Sequence, residues 1–87
     1  MNQIVKVNWT DAEEIGDVGW NSLDDMVQDA QRDCPVMTTV GFLIYSGKEH
    51  IAVANSLGEG LCSTVDKIPK RFINSLEYLE GDSNAAV

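Results

Sequence analysis

The amino-acid sequence predicts an α+β fold: a small, curled antiparallel sheet of four to five strands with one amphipathic helix. Three observations carry this. "IVKVNW" (4–9) alternates Ile4, Lys6 and Asn8 with Val5, Val7 and Trp9, the period of a half-buried strand. "SLDDMVQDAQRD" (22–33) repeats Leu23, Met26, Val27 and Ala30 at helical spacing. The apolar runs 36–45 and 51–57 bracket the turn residues Ser46-Gly47-Lys48-Glu49, as the two arms of a hairpin do.

In the first strand the more apolar set, Val5, Val7 and Trp9, is expected to face inward. "TDAEEIGDVG" (10–19) is a polar connection punctuated by Gly16 and Gly19; Thr10-Asp11-Ala12-Glu13 also fits a capping box and would allow one helical turn. Ser22 is placed to cap the helix, Asp24 and Asp25 stand at its positive end, and Cys34-Pro35 stops it. The apolar stripe predicts that this helix packs on the sheet. Asp25, Asp29 and Asp33 stand four apart on the opposite face, where like charges each cost a few tenths of a kcal/mol. Selection for stability alone would favour a lysine there.

In the hairpin, Val36, Thr38, Val40, Phe42 and Ile44 share one face, and Ile51, Val53 and Asn55 return. The more apolar face is taken as the core, so Val40, Phe42, Ile44 and Val53 are expected to be buried. Gly41 at the strand centre predicts a bend or bulge. "GEG" (58–60) turns into "LCSTVD" (61–66), a third strand. Pro69 supplies no N–H to a central ladder but fits the start of a short helical turn, "PKRF". Beyond it, Phe72, Asn74, Leu76 and Tyr78 alternate with Ile73, Ser75, Glu77 and Leu79, while Phe72, Leu76 and Leu79 also fit helical spacing. The preceding turn favours a strand. One domain then covers 1–80, and "GDSNAAV" (81–87), which offers nothing to bury, is expected to be a disordered tail.

Composition narrows the class. A chain of 87 residues with 44% hydrophobic content has enough apolar sequence to fold, unlike a disordered acidic tail. No run approaches the ~18 apolar residues of a membrane span, and "MNQIVKVNWTD" lacks the basic start and apolar stretch of an export signal. The expectation is a cytoplasmic protein with no membrane partner, in which Cys34 and Cys62 are reduced, small apolar residues rather than a disulfide.

Charge is unevenly spread over a net of -8. Eight of the fourteen carboxylates (Asp11, Glu13, Glu14, Asp17, Asp24, Asp25, Asp29 and Asp33) lie between residues 11 and 33, where Arg32 is the one base. Lys67, Lys70 and Arg71 form a basic trio that is too small for a nucleic-acid face, so no direct nucleic-acid binding is expected.

Chemistry-bearing motifs are sparse. His50, the one histidine, sits beside a turn and reads as an exposed loop-edge residue rather than a general base. One histidine and two distant cysteines have no zinc spacing, Asp24-Asp25 lies on a helix rather than in a calcium loop, and "GEG" lacks the glycine-rich phosphate-binding signature. The sequence therefore predicts no enzyme, no metal and no cofactor. Trp9 and Trp20 flank the acidic connection; packing is the ordinary role, but Trp20, just before the helix cap, is also placed to anchor an interface.

"KIPKRFI" (67–73) resembles the closing segment of SH3-like barrels, where an Ile-Pro pair opens a single 3₁₀ turn before the last strand, so an SH3-like barrel is the more specific form of the fold expectation. The chain lacks the aromatic pair and acidic loop pattern of peptide-binding SH3 domains, and their proline-ligand function is not implied. The order "VNWTDA", "GWNSLDD", "TVGFLIY" and "IPKRFINSLEYL" resembles small accessory proteins of tailed bacteriophages. That resemblance implies a protein made in the host cytoplasm during infection, from a class whose members often bind and disable host defence or nucleic-acid-processing proteins.

Two functional expectations follow. The first is an inhibitor that presents Trp20, Asp24, Asp25, Gln28 and Asp29 to a host protein with a basic surface, with association steered by charge. The second is a homo-oligomeric sponge that sequesters a nucleotide-type signalling molecule through Lys67, Lys70 and Arg71.

Overall fold

The structure, a computed structural model, describes residues 3–79; the expected tail at 81–87 lies outside them. Seven strands and one α-helix follow in the order β1 (Ile4–Thr10), α1 (Leu23–Ala30), β2 (Val36–Ser46), β3 (His50–Ala54), β4 (Leu57–Gly58), β5 (Leu61–Cys62), β6 (Val65–Pro69) and β7 (Ile73–Leu79), with a 3₁₀ turn at Lys70–Phe72 between the last two. Five strands form one antiparallel sheet in the order β6-β3-β2-β1-β7, and β4 and β5 pair separately. The α+β expectation is met, and the ambiguous stretch after Pro69 is a strand from Ile73 to Leu79, with Phe72 closing the 3₁₀ turn.

The strand order forces curvature. β6 and β7 lie at opposite edges of the sheet, yet three residues join them. Four strand spacings in a flat sheet would part the edges by roughly 19 Å, whereas three 3₁₀ residues advance about 6 Å. The sheet therefore curls, although no ladder joins β6 to β7 among the described residues. Pro69 ends β6, an edge strand, where its missing N–H breaks no central ladder. The third strand of the meander is thus 65–69 rather than 61–66, because Leu61 and Cys62 pair with Gly58 and Leu57 in a small hairpin of their own.

Inside the curl lie Val5, Val7, Ile51, Val53 and Ile68, with Trp9, Leu43, Ile73 and Leu76 packed against them. Val5, Val7 and Trp9 face inward as expected, and Val53 is buried. The expected face of β2 is corrected: Val40 is 49% exposed, and Phe42 and Ile44 are only half-buried. Val5 and Val7 pair with Gly41 and Thr39, so the inward face of β2 is the one with the smaller side chains. The reason is space: a Cβ on Gly41 would stand 2.5 Å from the Ala54 carbonyl oxygen and 2.8 Å from Val53 Cγ1. Gly41 permits close approach; the register shift lies further on, between Leu43 and Tyr45.

The segment 11–35 leaves the sheet as an arm. Its base is pinched where Thr10 pairs with Val36 and the Asp11 N–H donates to the Pro35 carbonyl at 2.9 Å. No helical turn forms at 10–13. Gly16 and Gly19 adopt φ 97° and 104°, conformations that suit glycine, and the Asn21 side chain bonds Asp17 in both directions, at 3.0 and 2.9 Å. Ser22 caps α1, its hydroxyl accepting from the Asp25 N–H at 3.4 Å. The helix ends at Ala30, before Cys34-Pro35, so Asp33 falls outside it. Packing of α1 on the sheet is not observed: none of its residues is buried, and Leu23 and Val27 stay 77% and 49% exposed. Cys34 and Cys62 are free, and exposed rather than packed.

Candidate anion-binding pocket

Two chain reversals meet at one end of β3. The Gly47 N–H donates to the His50 carbonyl and closes the β2–β3 turn, while the Lys70 N–H of the 3₁₀ turn donates to the Glu49 carbonyl at 2.8 Å. His50 pairs across the ladder with Pro69, and Ala52 with Lys67. This register gathers Lys48, Glu49, His50, Lys67, Pro69, Lys70 and Arg71 around a hollow of about 530 Å³.

Four of the chain's six lysines and arginines thus converge on one hollow whose lining holds a single carboxylate, Glu49. The one ion pair among the described residues, Arg32–Asp29 at 3.6 Å, lies elsewhere. Two aromatic contacts hold the rim: the His50 imidazole lies 5.3 Å from the Tyr45 ring, and the Arg71 guanidinium lies 5.8 Å from the Phe72 centroid. His50 is half-buried at the start of β3 rather than an exposed loop-edge residue. Such a lining suits a multiply charged anion: lysines supply point charges, and the guanidinium supplies a planar fork that matches phosphate.

The basic trio expected from the sequence, Lys67, Lys70 and Arg71, is brought together, and the structure adds Lys48 and His50. Lys48 lies nearly twenty residues before Lys67, and only the β3–β6 register connects them.

The other expected site residues lie on the arm. Trp20 and nearby Val18 are fully exposed, and Asp24, Asp25 and Gln28 on α1 are exposed; Asp29 is half-buried and paired with Arg32. Trp9 by contrast packs on the core, and its indole N–H donates to Thr39 Oγ1 at 3.0 Å. The two candidate surfaces occupy different parts of the molecule. The arm holds eight carboxylates and one arginine, so nearly all of the net negative charge sits on it, and the sheet that carries the pocket is close to neutral.

Among the described residues there is no group of three or more potential metal ligands, and no helix is long and apolar enough to cross a membrane. Comparison with protein-family models, with curated proteins and with solved structures finds no match.

Proposed function

We propose that the protein binds a phosphate-bearing small molecule of nucleotide type in the Lys48–Arg71 pocket and withdraws it from solution. The observation that carries this is the convergence of Lys48, Lys67, Lys70 and Arg71 in a chain of net charge -8. Gathering like charges costs free energy that a bound anion offsets. A hollow of about 530 Å³ is also within the range of small-molecule sites, about 300–1,000 Å³. The strand order and the 3₁₀ corner at Lys70–Phe72 support reading the curled sheet as an SH3-like barrel, with the pocket at its closing corner. The likeness to tailed-phage accessory proteins supports a setting in a host cytoplasm, where removing a signalling nucleotide would silence the response it triggers.

Thermal-shift and calorimetric titration with inorganic phosphate, nucleoside diphosphates and cyclic dinucleotides tests the proposal. At least one nucleotide should stabilise the wild-type protein, and the Lys70→Glu/Arg71→Glu variant should lose that response. Absence of stabilisation by every probe, or stabilisation that survives the double reversal, would refute it.

A second reading is favoured by the full exposure of Trp20 on the acidic arm. Here Trp20, Asp24, Asp25, Gln28 and Asp29 form a docking face for a host protein with a basic surface. Capture of one protein by the wild-type chain, lost at high salt and in Asp24→Lys/Asp25→Lys but retained in Lys70→Glu/Arg71→Glu, would move the assignment to the arm.

A further inference from the structure

The 3₁₀ turn that borders the Lys48–Arg71 hollow also borders a second one. This second hollow measures about 340 Å³, and Thr10, Asp11, Cys34, Phe72 and Asn74 are among the residues that line it. Lys70 lines the first hollow, Phe72 the second, and Arg71 both, so the two are neighbours across one side chain. Their chemistry differs. The first gathers cations, whereas the second combines an aromatic ring, one guanidinium and one carboxylate with uncharged polar groups.

The backbone sets those polar groups. Between the Asn8–Ser75 and Trp9–Ile73 pairs the register of β1 against β7 shifts, and Asn74 is the residue left without a cross-strand partner. A bulge of this kind re-aims a side chain. Asn74 Nδ2 donates to Asn8 Oδ1 at 3.0 Å and to Thr10 Oγ1 at 2.9 Å, and the Thr10 hydroxyl donates to Asn74 Oδ1 at 3.3 Å. Both amide N–H bonds are thus engaged, while Oδ1 keeps a lone pair. Asp11 is similar: its Oδ1 accepts from the Ala12 N–H at 2.8 Å, and its Oδ2 accepts from no described residue. Asn74 and Asp11 therefore offer a ligand acceptors, beside a Phe72 ring on which a flat heterocycle can stack.

We infer that the second hollow is a nucleobase subsite: a nucleotide lays its phosphates among Lys48, Lys67, Lys70 and Arg71 and its base on Phe72, with N–H donors of the base facing Asp11 and Asn74. The inference rests on the anion-binding reading of the first hollow and adds which phosphate compounds that site selects. Charge fixes the orientation, because the Asp11 carboxylate repels phosphate from the second hollow while the lysines attract it to the first. Arg71, shared by both hollows and 5.8 Å from the Phe72 centroid, lies where the phosphate chain meets the nucleoside. Two acceptors suit a base with two adjacent donors, so guanine, whose ring N–H stands beside an amino group, is the preferred base. Pyrophosphate would leave the second hollow empty.

Cys34 supplies a readout that affinity alone does not. Its thiol is exposed at the second hollow, whereas Cys62, also exposed, lies on the β4–β5 hairpin and serves as an internal control. Alkylation of the full chain by iodoacetamide is followed by peptide mass analysis with guanosine diphosphate, adenosine diphosphate or pyrophosphate present, and calorimetry gives the three affinities. Guanosine diphosphate should bind roughly tenfold or more tighter than pyrophosphate, the gain expected from stacking one base. It should slow alkylation of Cys34 and leave Cys62 unchanged, and pyrophosphate should protect neither. Asn74→Ala, at an exposed position, should weaken binding of guanosine diphosphate but not of pyrophosphate. Pyrophosphate that binds as tightly as the nucleotides, a Cys34 left unprotected by guanosine diphosphate, or an Asn74→Ala variant that weakens both ligands alike would overturn the subsite and leave the anion site standing. Tighter binding of adenosine diphosphate would overturn the matching of donors to Asp11 and Asn74. Binding of none of the three probes would overturn the subsite and the anion site together.

Discussion

The backbone N–H of Lys70 donates to the carbonyl of Glu49 at 2.8 Å, joining the turn that closes β2–β3 to the turn that leads from β6 into β7. This bond holds the two corners that carry the pocket's cations, so the hollow is built on short reversals at the end of a ladder rather than on a long loop. Its geometry is preorganised by the same register that curls the sheet.

Lys48 provides a test of pocket membership. If it acts with Lys70 and Arg71, Lys48→Ala should weaken nucleotide binding about threefold to tenfold while leaving the melting temperature within about a degree, since an exposed lysine contributes little to stability. Isothermal titration at low and moderate salt reads both the affinity and its expected decline with screening. Unchanged affinity would remove Lys48 from the site.

Gly41 is expected to be intolerant of any side chain. Its missing Cβ leaves room for the Ala54 carbonyl oxygen, 2.5 Å from where that atom would stand, and backbone on an adjacent strand cannot move aside cheaply. Gly41→Ala should cost about 1–3 kcal/mol and Gly41→Val more. Urea denaturation measures the difference.

The core assignment is tested by comparing two truncations. Ile68, fully buried, should lose about 2–5 kcal/mol on replacement by alanine. Phe42→Ala should cost less than Ile68→Ala despite removing more atoms, because the ring lies half-exposed on the outer face. A larger loss at Phe42 would place its ring in the core and reverse the face assignment of β2.

The arm and the sheet should respond separately to substitution. Ser22→Ala removes the hydroxyl that accepts from the Asp25 N–H and should cost the helix about 1 kcal/mol. Because α1 does not pack on the sheet of its own chain, this loss should appear as reduced helical circular dichroism. Near-ultraviolet signals from core-packed Trp9 should melt as in the wild type.

Thr39→Val tests a side-chain hydrogen bond at the rim of the core. It keeps the shape of the residue but leaves the Trp9 indole N–H without its acceptor, for an expected cost of about 1 kcal/mol. Thermal melts followed by Trp9 fluorescence report on it.

Local chemistry by itself determined a good deal of this protein. The alternation of Val5, Val7 and Trp9, the Ser22 cap, the Ser46–Glu49 turn and the 3₁₀ turn after Pro69 depend on neighbours a few residues apart, and each appears where the residues placed it. The closeness of Lys67, Lys70 and Arg71 was legible for the same reason. Three features belong to the tertiary structure alone. Both faces of β2 alternate well enough to be a strand, and only the tight curl, with Gly41 against Ala54, decides that the smaller face turns inward. The stripe of α1 marks it as a helix with one apolar side, but whether that side packs on the sheet depends on the pinched base at Asp11 and Pro35, which directs the arm away from the sheet. Lys48 and His50 join the basic trio because the β3–β6 ladder sets His50 opposite Pro69, and a pairing register between distant segments is a long-range choice that no local spacing encodes.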